Sequence, residues 1–228
     1  MAGEPESLDQ REPFEARDQR HAYDRMIMLS DGVFAIAITL LALDVRAPAK
    51  WSAGPVGLLA VMAPVLSAFV LSFLVISLYW LLHRRYVAML IRVDWIAMVL
   101  NLAFLGLIAL LPAATRLAES SNGSMSVLGL YSALVIAIGA SLALFWGYAT
   151  FMGRLVYPEI GARARWVYFL VPLIAPPLTL LATVPTHIPN DVVPIVLLTI
   201  FVVGGLFLQR LVHPPHSARG GSDAPPAA

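Results

Sequence analysis

Cysteine is absent from all 228 residues of the chain. That excludes a disulfide framework, a thiolate zinc site and any redox or nucleophilic thiol. Charge is scarce as well. Asp, Glu, Lys and Arg make up 13% of the residues, against about 25% in an ordinary soluble domain. With half the usual solubilising charge, and 59% of its residues hydrophobic, the chain falls in the integral membrane class. The basic residues are scattered, so a formal net charge of +1 leaves no electrostatic footprint for nucleic acid. Catalytic patterns are missing too: there is no G-x-S-x-G, no H-E-x-x-H and no Walker A, so nothing points to an enzyme. His187, His213 and His216 lack companions at metal-ligand spacing and read as solvated loop residues. No export signal is expected either. The opening "MAGEPESLDQREPFEARDQRHAYD" is charged, mixed in sign and without an apolar run, which reads as a flexible tail over residues 1–24.

What the chain does have is long apolar runs. A hydrocarbon core about 30 Å thick needs roughly 20 apolar residues in a helix. Six stretches meet or approach this, at about 27–45, 57–82, 94–113, 126–152, 166–184 and 191–209. The connectors between them are short, and no large soluble domain fits. The expected fold is all-α: a polytopic unit of six transmembrane helices over 25–210, followed by a disordered Pro/Gly/Ala-rich tail at 211–228. The distribution of basic residues orients it. With the N-terminus inside, twelve arginines collect on the cytoplasmic side (11, 17, 20, 25, 84, 85, 92, 154, 163, 165, 210 and 219), and only Arg46, Lys50 and Arg116 lie outside. Both termini are therefore expected in the cytoplasm.

The first run, "RMIMLSDGVFAIAITLLALDV", keeps an aspartate that costs about 2.5–3.5 kcal/mol at mid-bilayer. Depth suggests why. Asp31 lies about a turn and a half from the inner end of its helix, the second helix returns to that leaflet at Trp80 and His83, and the third lifts Asn101 about 10 Å from it. Arg25, Ser30, Asp31, Trp80, His83 and Asn101 thus share one level, and polar groups inside a membrane tend to find one another. A hydrogen-bonded knot that fixes the first helix is one reading; snorkelling toward headgroups is the other. On another face of this helix, Gly32, Ile36, Thr39, Leu40 and Leu43 form a stripe, with Asp31 about 140° from Ile36. By composition alone such a stripe faces lipid or a packed neighbour. Asp44, about 40° from Leu40 at the outer end, either concentrates cations or is a solvated helix end near Arg46. Trp146, Tyr148 and Trp166 fit interfacial belts. Pro172, Pro176 and Pro177 imply a kink in the fifth helix, and "AIGAS" (137–141) suits close helix packing.

The first run also resembles the signature of the transmembrane-protein-175 potassium channel family, whose first helix opens with an Arg, then Phe-Ser-Asp, then an AI-x-x-TLL run. "LSFLVISLYWLLHRRY" (71–86) is similar to that family's second helix and "NLAFLGLIALLPAATRL" (101–117) to its third; the later helices match in general character only. One departure is Leu29, where the family has the aromatic of Phe-Ser-Asp. The resemblance implies a homotetramer in the prokaryotic cell membrane whose pore is lined by the first helix of each subunit. Ile36 would be the hydrophobic constriction, Leu40 and Leu43 further apolar rings, and Thr39 the hydroxyl ring near which K+ passes transiently. Arg25, Ser30, Asp31, Trp80, His83 and Asn101 would support the pore from behind. No cofactor is implied beyond the permeant ion, and the partners are further copies of the chain and the lipid bilayer. "TVGYG" is absent, so a carbonyl filter is excluded, and no helix carries Arg at every third position as a voltage sensor does. A leak-like channel with a partly dehydrating neck remains. The alternative is a secondary transporter coupled to protons through Asp31 and His83, although the paired repeats and broken helices usual in that class are not visible.

Overall fold

The computed structural model describes residues 14–46, 54–121 and 124–173. Helix α1 spans Phe14–Asp44, α2 Gly54–Val87, α3 Trp95–Ser120 and α4 Met125–Gly147. The last runs on through a π-helical turn, Tyr148–Met152, before α5 at Ala162–Leu170 and a short 3₁₀ turn at Val171–Leu173. Among the described residues four helices are long and apolar enough to cross a membrane, and the only β pairing is a single bridge between Leu90 and Val156. Most of the expected fifth helix and all of the sixth, together with the C-terminal tail, lie outside the described residues.

The helices overrun their apolar stretches. Residues 14–24, expected in the tail, are helical and continuous with α1. Helix formers such as Glu15, Ala16, Arg17, Gln19 and Arg20 dominate there, and tertiary bonds hold the segment. The Tyr23 hydroxyl donates to the Val87 carbonyl at 3.1 Å, and the Val93 amide donates to Gln19 Oε1 at 3.4 Å. Helix α3 likewise continues past Pro112 to Ser120. Proline removes one intrahelical donor, but a packed membrane helix tolerates that loss.

Helix α3 packs against α1, α2 and α4, so the core follows its buried face. Phe104, Ile108 and Leu111 meet Phe34 and Leu41 of α1, Ile76 and Tyr79 of α2, and Ile138, Leu142 and Phe145 of α4 in one apolar cluster. At the end of the bundle where α2 and α4 finish, Tyr86, Trp146 and Tyr168 form an aromatic triad with ring centroids 4.8–5.6 Å apart. The Tyr86 hydroxyl donates to the Tyr168 carbonyl, and the Trp146 indole donates to the Arg165 carbonyl at 2.9 Å. Trp146 is therefore a core residue and not an interfacial anchor. Its N–H finds a carbonyl where α5 begins, so full burial costs it no hydrogen bond. Trp166, by contrast, is exposed.

The small-residue segment of α4 is used for a close approach. A β-carbon at Gly139 would collide with the Pro172 carbonyl and lie 2.9 Å from the Tyr79 hydroxyl, which itself donates to that carbonyl at 3.3 Å. Gly139→Ala is expected to lower stability by roughly 1–3 kcal/mol, the usual cost of overpacking. Thermal unfolding in detergent micelles measures this; a melting temperature equal to the parent's would contradict the packing described.

Candidate functional site

Helix α1 has two unlike faces. Met26, Ser30, Phe34, Ala37 and Leu41 are buried against α2 and α3. On the other side Ile36 is 61%, Leu43 67% and Leu40 39% exposed, and Gly32 and Thr39 are exposed as well. The five stripe residues thus lie together on one exposed face, away from the described residues of the other helices. Thr39 has a further property. Its hydroxyl donates to the Ile36 carbonyl of its own helix at 2.9 Å, so the proton is committed and the oxygen lone pairs remain available outward.

Behind this face the polar groups join up. The Trp80 indole donates to Asp31 Oδ1 at 2.8 Å, bridging α2 to α1. Deeper in, the Asn101 amide donates to Ser30 Oγ at 3.2 Å, and its Oδ1 is 2.7 Å from His83 Nε2. Ser30 in turn donates to the Met26 carbonyl at 2.7 Å. For Asn101 to accept from His83, the imidazole must carry its proton on Nε2. The ring lies in an aromatic box: it stacks on Phe104 at 5.4 Å, with Phe34 at 5.9 Å and Phe145 at 6.2 Å. Four helices therefore converge on His83. The two sets differ in setting: Ser30, His83 and Asn101 are buried, whereas Asp31 is exposed.

Two sequence-selected residues stand elsewhere. Arg25 is exposed and joins neither set; at about 100° per residue it falls some 140° from Ser30, on the stripe side of the helix. Asp44 pairs with Arg116 of α3, not with Arg46. Its Oδ1 and Oδ2 lie 3.0 and 3.1 Å from the guanidinium, which ties the C-terminal ends of α1 and α3 together. A carboxylate so neutralised has a weakened field for passing ions.

One polar cluster escaped the sequence reading. Ser72 of α2 lies 2.8 Å from the Thr115 hydroxyl of α3 and 3.2 Å from the Tyr131 hydroxyl of α4, all three buried. The three come from different helices, with Thr115 and Tyr131 43 and 59 residues from Ser72, so no local spacing announces the cluster. The start of α3 and the end of α4 are joined differently. The Asp94 side chain caps α3 through the Ala97 amide at 2.8 Å and accepts from the Tyr148 hydroxyl at 2.6 Å.

Comparison with known proteins centres on the helices that carry these groups. The family model described as endosomal/lysosomal potassium channel TMEM175 matches residues 25–112, from Arg25 through most of α3. A potassium channel of Streptomyces collinus is 37% identical over 165 residues, which cover 68% of this chain and 79% of that protein. A potassium channel of Chamaesiphon minutus is 30% identical over 138 residues, covering 58% of this chain and 68% of that one. These relatives are named as channels, not enzymes. In fold, the chain matches the crystal structure of a lysosomal potassium-selective channel TMEM175 homolog from Chamaesiphon minutus with a TM-score of 0.61, at 24% identity, over 82% of this chain and 98% of that one. From the identity to the Streptomyces protein and the matched helices, this membrane protein belongs to the TMEM175 potassium channel family.

Proposed function

We propose that the protein is a potassium-selective, leak-like channel in the cell membrane, formed by four copies with both termini cytoplasmic. The observation that carries the pore is the exposed stripe on α1. Ile36 and Leu43 are more than half exposed on the helix that the family model matches from Arg25 onward, while the opposite face is fully used in packing. One helix cannot enclose a water column, so closed cyclic symmetry is required. Ile36 then forms the neck, Leu40 and Leu43 continue it outward, and the Thr39 oxygens stand in for part of the ion's water shell. Potassium sheds water at lower cost than sodium, so a neck that strips part of the shell favours it. The Asp31–Trp80 and Ser30–Asn101–His83 bonds hold α1 at a fixed rotation, which keeps the four necks in register.

The test is planar-bilayer recording of the purified protein with potassium on one side and sodium on the other. Expected is an ohmic current with a reversal potential set by potassium and no dependence on a proton gradient. Saturating flux that requires protons would instead indicate a carrier working through Asp31 and His83, and would overturn the channel.

A further inference from the structure

Helix α1 does not end at the neck. It runs unbroken from Phe14 to Asp44, so about 33 Å of helix lies on the N-terminal side of Ile36. At about 100° per residue Asp18 falls at the azimuth of Ile36, Arg25 within about 20° of it and His21 within about 60°. All three side chains are exposed. The charged extension therefore continues the same stripe that carries Ile36 and Leu43.

This orientation is held from other faces of the helix. Tyr23, about 140° from Asp18, and Gln19, about 100° from it, bond to Val87 and Val93 at the two ends of the loop joining α2 to α3. That loop is itself pinned. The Ile91 amide donates to the Leu155 carbonyl at 2.8 Å, and the Tyr157 amide donates to the Met89 carbonyl at 3.2 Å. The extension is thus docked on a clasped pair of loops, with its charged face turned the other way. Flanking groups on the extension are Arg17 and Asp24, each more than about 90° from Ile36.

We propose, resting on the α1-lined tetramer, that this extension walls a charged inner vestibule in which Asp18 and Arg25 set the supply of cations to the neck. Fourfold symmetry turns each residue into a ring. The carboxylates stand about 27 Å from the neck and the guanidinium groups about 16 Å from it. The Asp18 ring raises the local potassium concentration, and the Arg25 ring, nearer the constriction, opposes entry. Neither residue touches the ion in the neck; both act through the field, so their effect depends on screening. The Debye length is about 30 Å at 0.01 M salt and about 3 Å at 1 M. Arg25 thereby gains a role unlike the supporting one that the sequence resemblance gave it.

Single-channel recording of Asp18→Asn and Arg25→Gln, in about 10 mM and 1 M KCl, tests the proposal. At low salt, Asp18→Asn should reduce the current carried by potassium entering from the N-terminal side about twofold. Arg25→Gln should raise it by a similar factor, and both should converge on the parent at 1 M. Because the chain has no native cysteine, Asp18→Cys provides a single addressable thiol per subunit. A cationic methanethiosulfonate applied from that side should depress the low-salt current further, and an anionic one should restore it. If the charge variants and both reagents leave the low-salt current unchanged while substitution of Ile36 still alters conductance, the vestibule is wrong and the pore stands. If Ile36 variants are silent as well, the vestibule falls together with the pore beneath it.

Discussion

Replacing Ile36 with asparagine is expected to raise the single-channel potassium current about tenfold and to pull the potassium-to-sodium permeability ratio toward one. A hydrophobic neck resists an ion because water leaves it readily, and the ion must shed part of its shell to pass. An amide at the same position holds water in the neck and offers oxygen to either cation. A tenfold gain corresponds to a barrier lowered by about 1.4 kcal/mol, a small fraction of what dehydration demands. The same change should leave the subunit's stability within about 0.5 kcal/mol of the parent. Ile36 is 61% exposed and lies on the face away from α2 and α3, so its removal opens no cavity. Bilayer recording paired with thermal unfolding separates the two effects. An unaltered current from a folded, assembled variant would place the neck elsewhere.

His83→Ala is expected to have the opposite profile, a large loss of stability of about 3–5 kcal/mol. The imidazole fills a space bounded by Phe34, Phe104 and Phe145, and truncating a ring of this kind in a core leaves a void. It also strips Asn101 of one partner in a buried site, and an orphaned buried acceptor adds about 1–3 kcal/mol. The void and the orphan fall at one spot, so the two costs overlap in the stated range. Trp80→Phe is the informative contrast. It deletes the indole donor to Asp31 but keeps an aromatic ring, and Asp31 is exposed enough for water to replace the bond, so its cost should stay near or below about 1 kcal/mol. Chemical unfolding in micelles ranks the two. Equal losses would mean that the exposed Asp31 bond, and not the buried box, anchors α1.

The Ser30–Asn101–His83 set shows how much of the site could be read from residue spacing. Each helix climbs about 1.5 Å per residue, and the connectors on the inner side are short, so the depth of every polar group follows from its distance to a helix end. Spacing did less well with partners. It grouped Arg25 with Ser30 by depth, although helical rotation puts the two on different faces of α1. It offered Arg46 as the neighbour of Asp44 because the two are only two residues apart, whereas the ion pair goes to Arg116, 72 residues away on α3. It placed Trp146 at an interface because of its position near a helix end, whereas the approach of α5 buries it. The inner extension of α1 was invisible for a related reason. Its residues are too polar to register as a span, and the bonds that dock it, Tyr23 to the Val87 carbonyl and the Val93 amide to Gln19, come from a distant loop.

Taken alone, the order of residues determined that this chain lives in a bilayer, which groups share a level within it, and that its first helix presents two incompatible faces. Apolar length, rise per residue and the 3.6-residue period are local properties, and they need no neighbour to act. Only the folded bundle decided which polar group bonds to which, how far each helix runs beyond its apolar stretch, and which way the charged start of α1 points. Those outcomes depend on the rotation of each helix about its own axis, and that rotation is fixed by packing against the others.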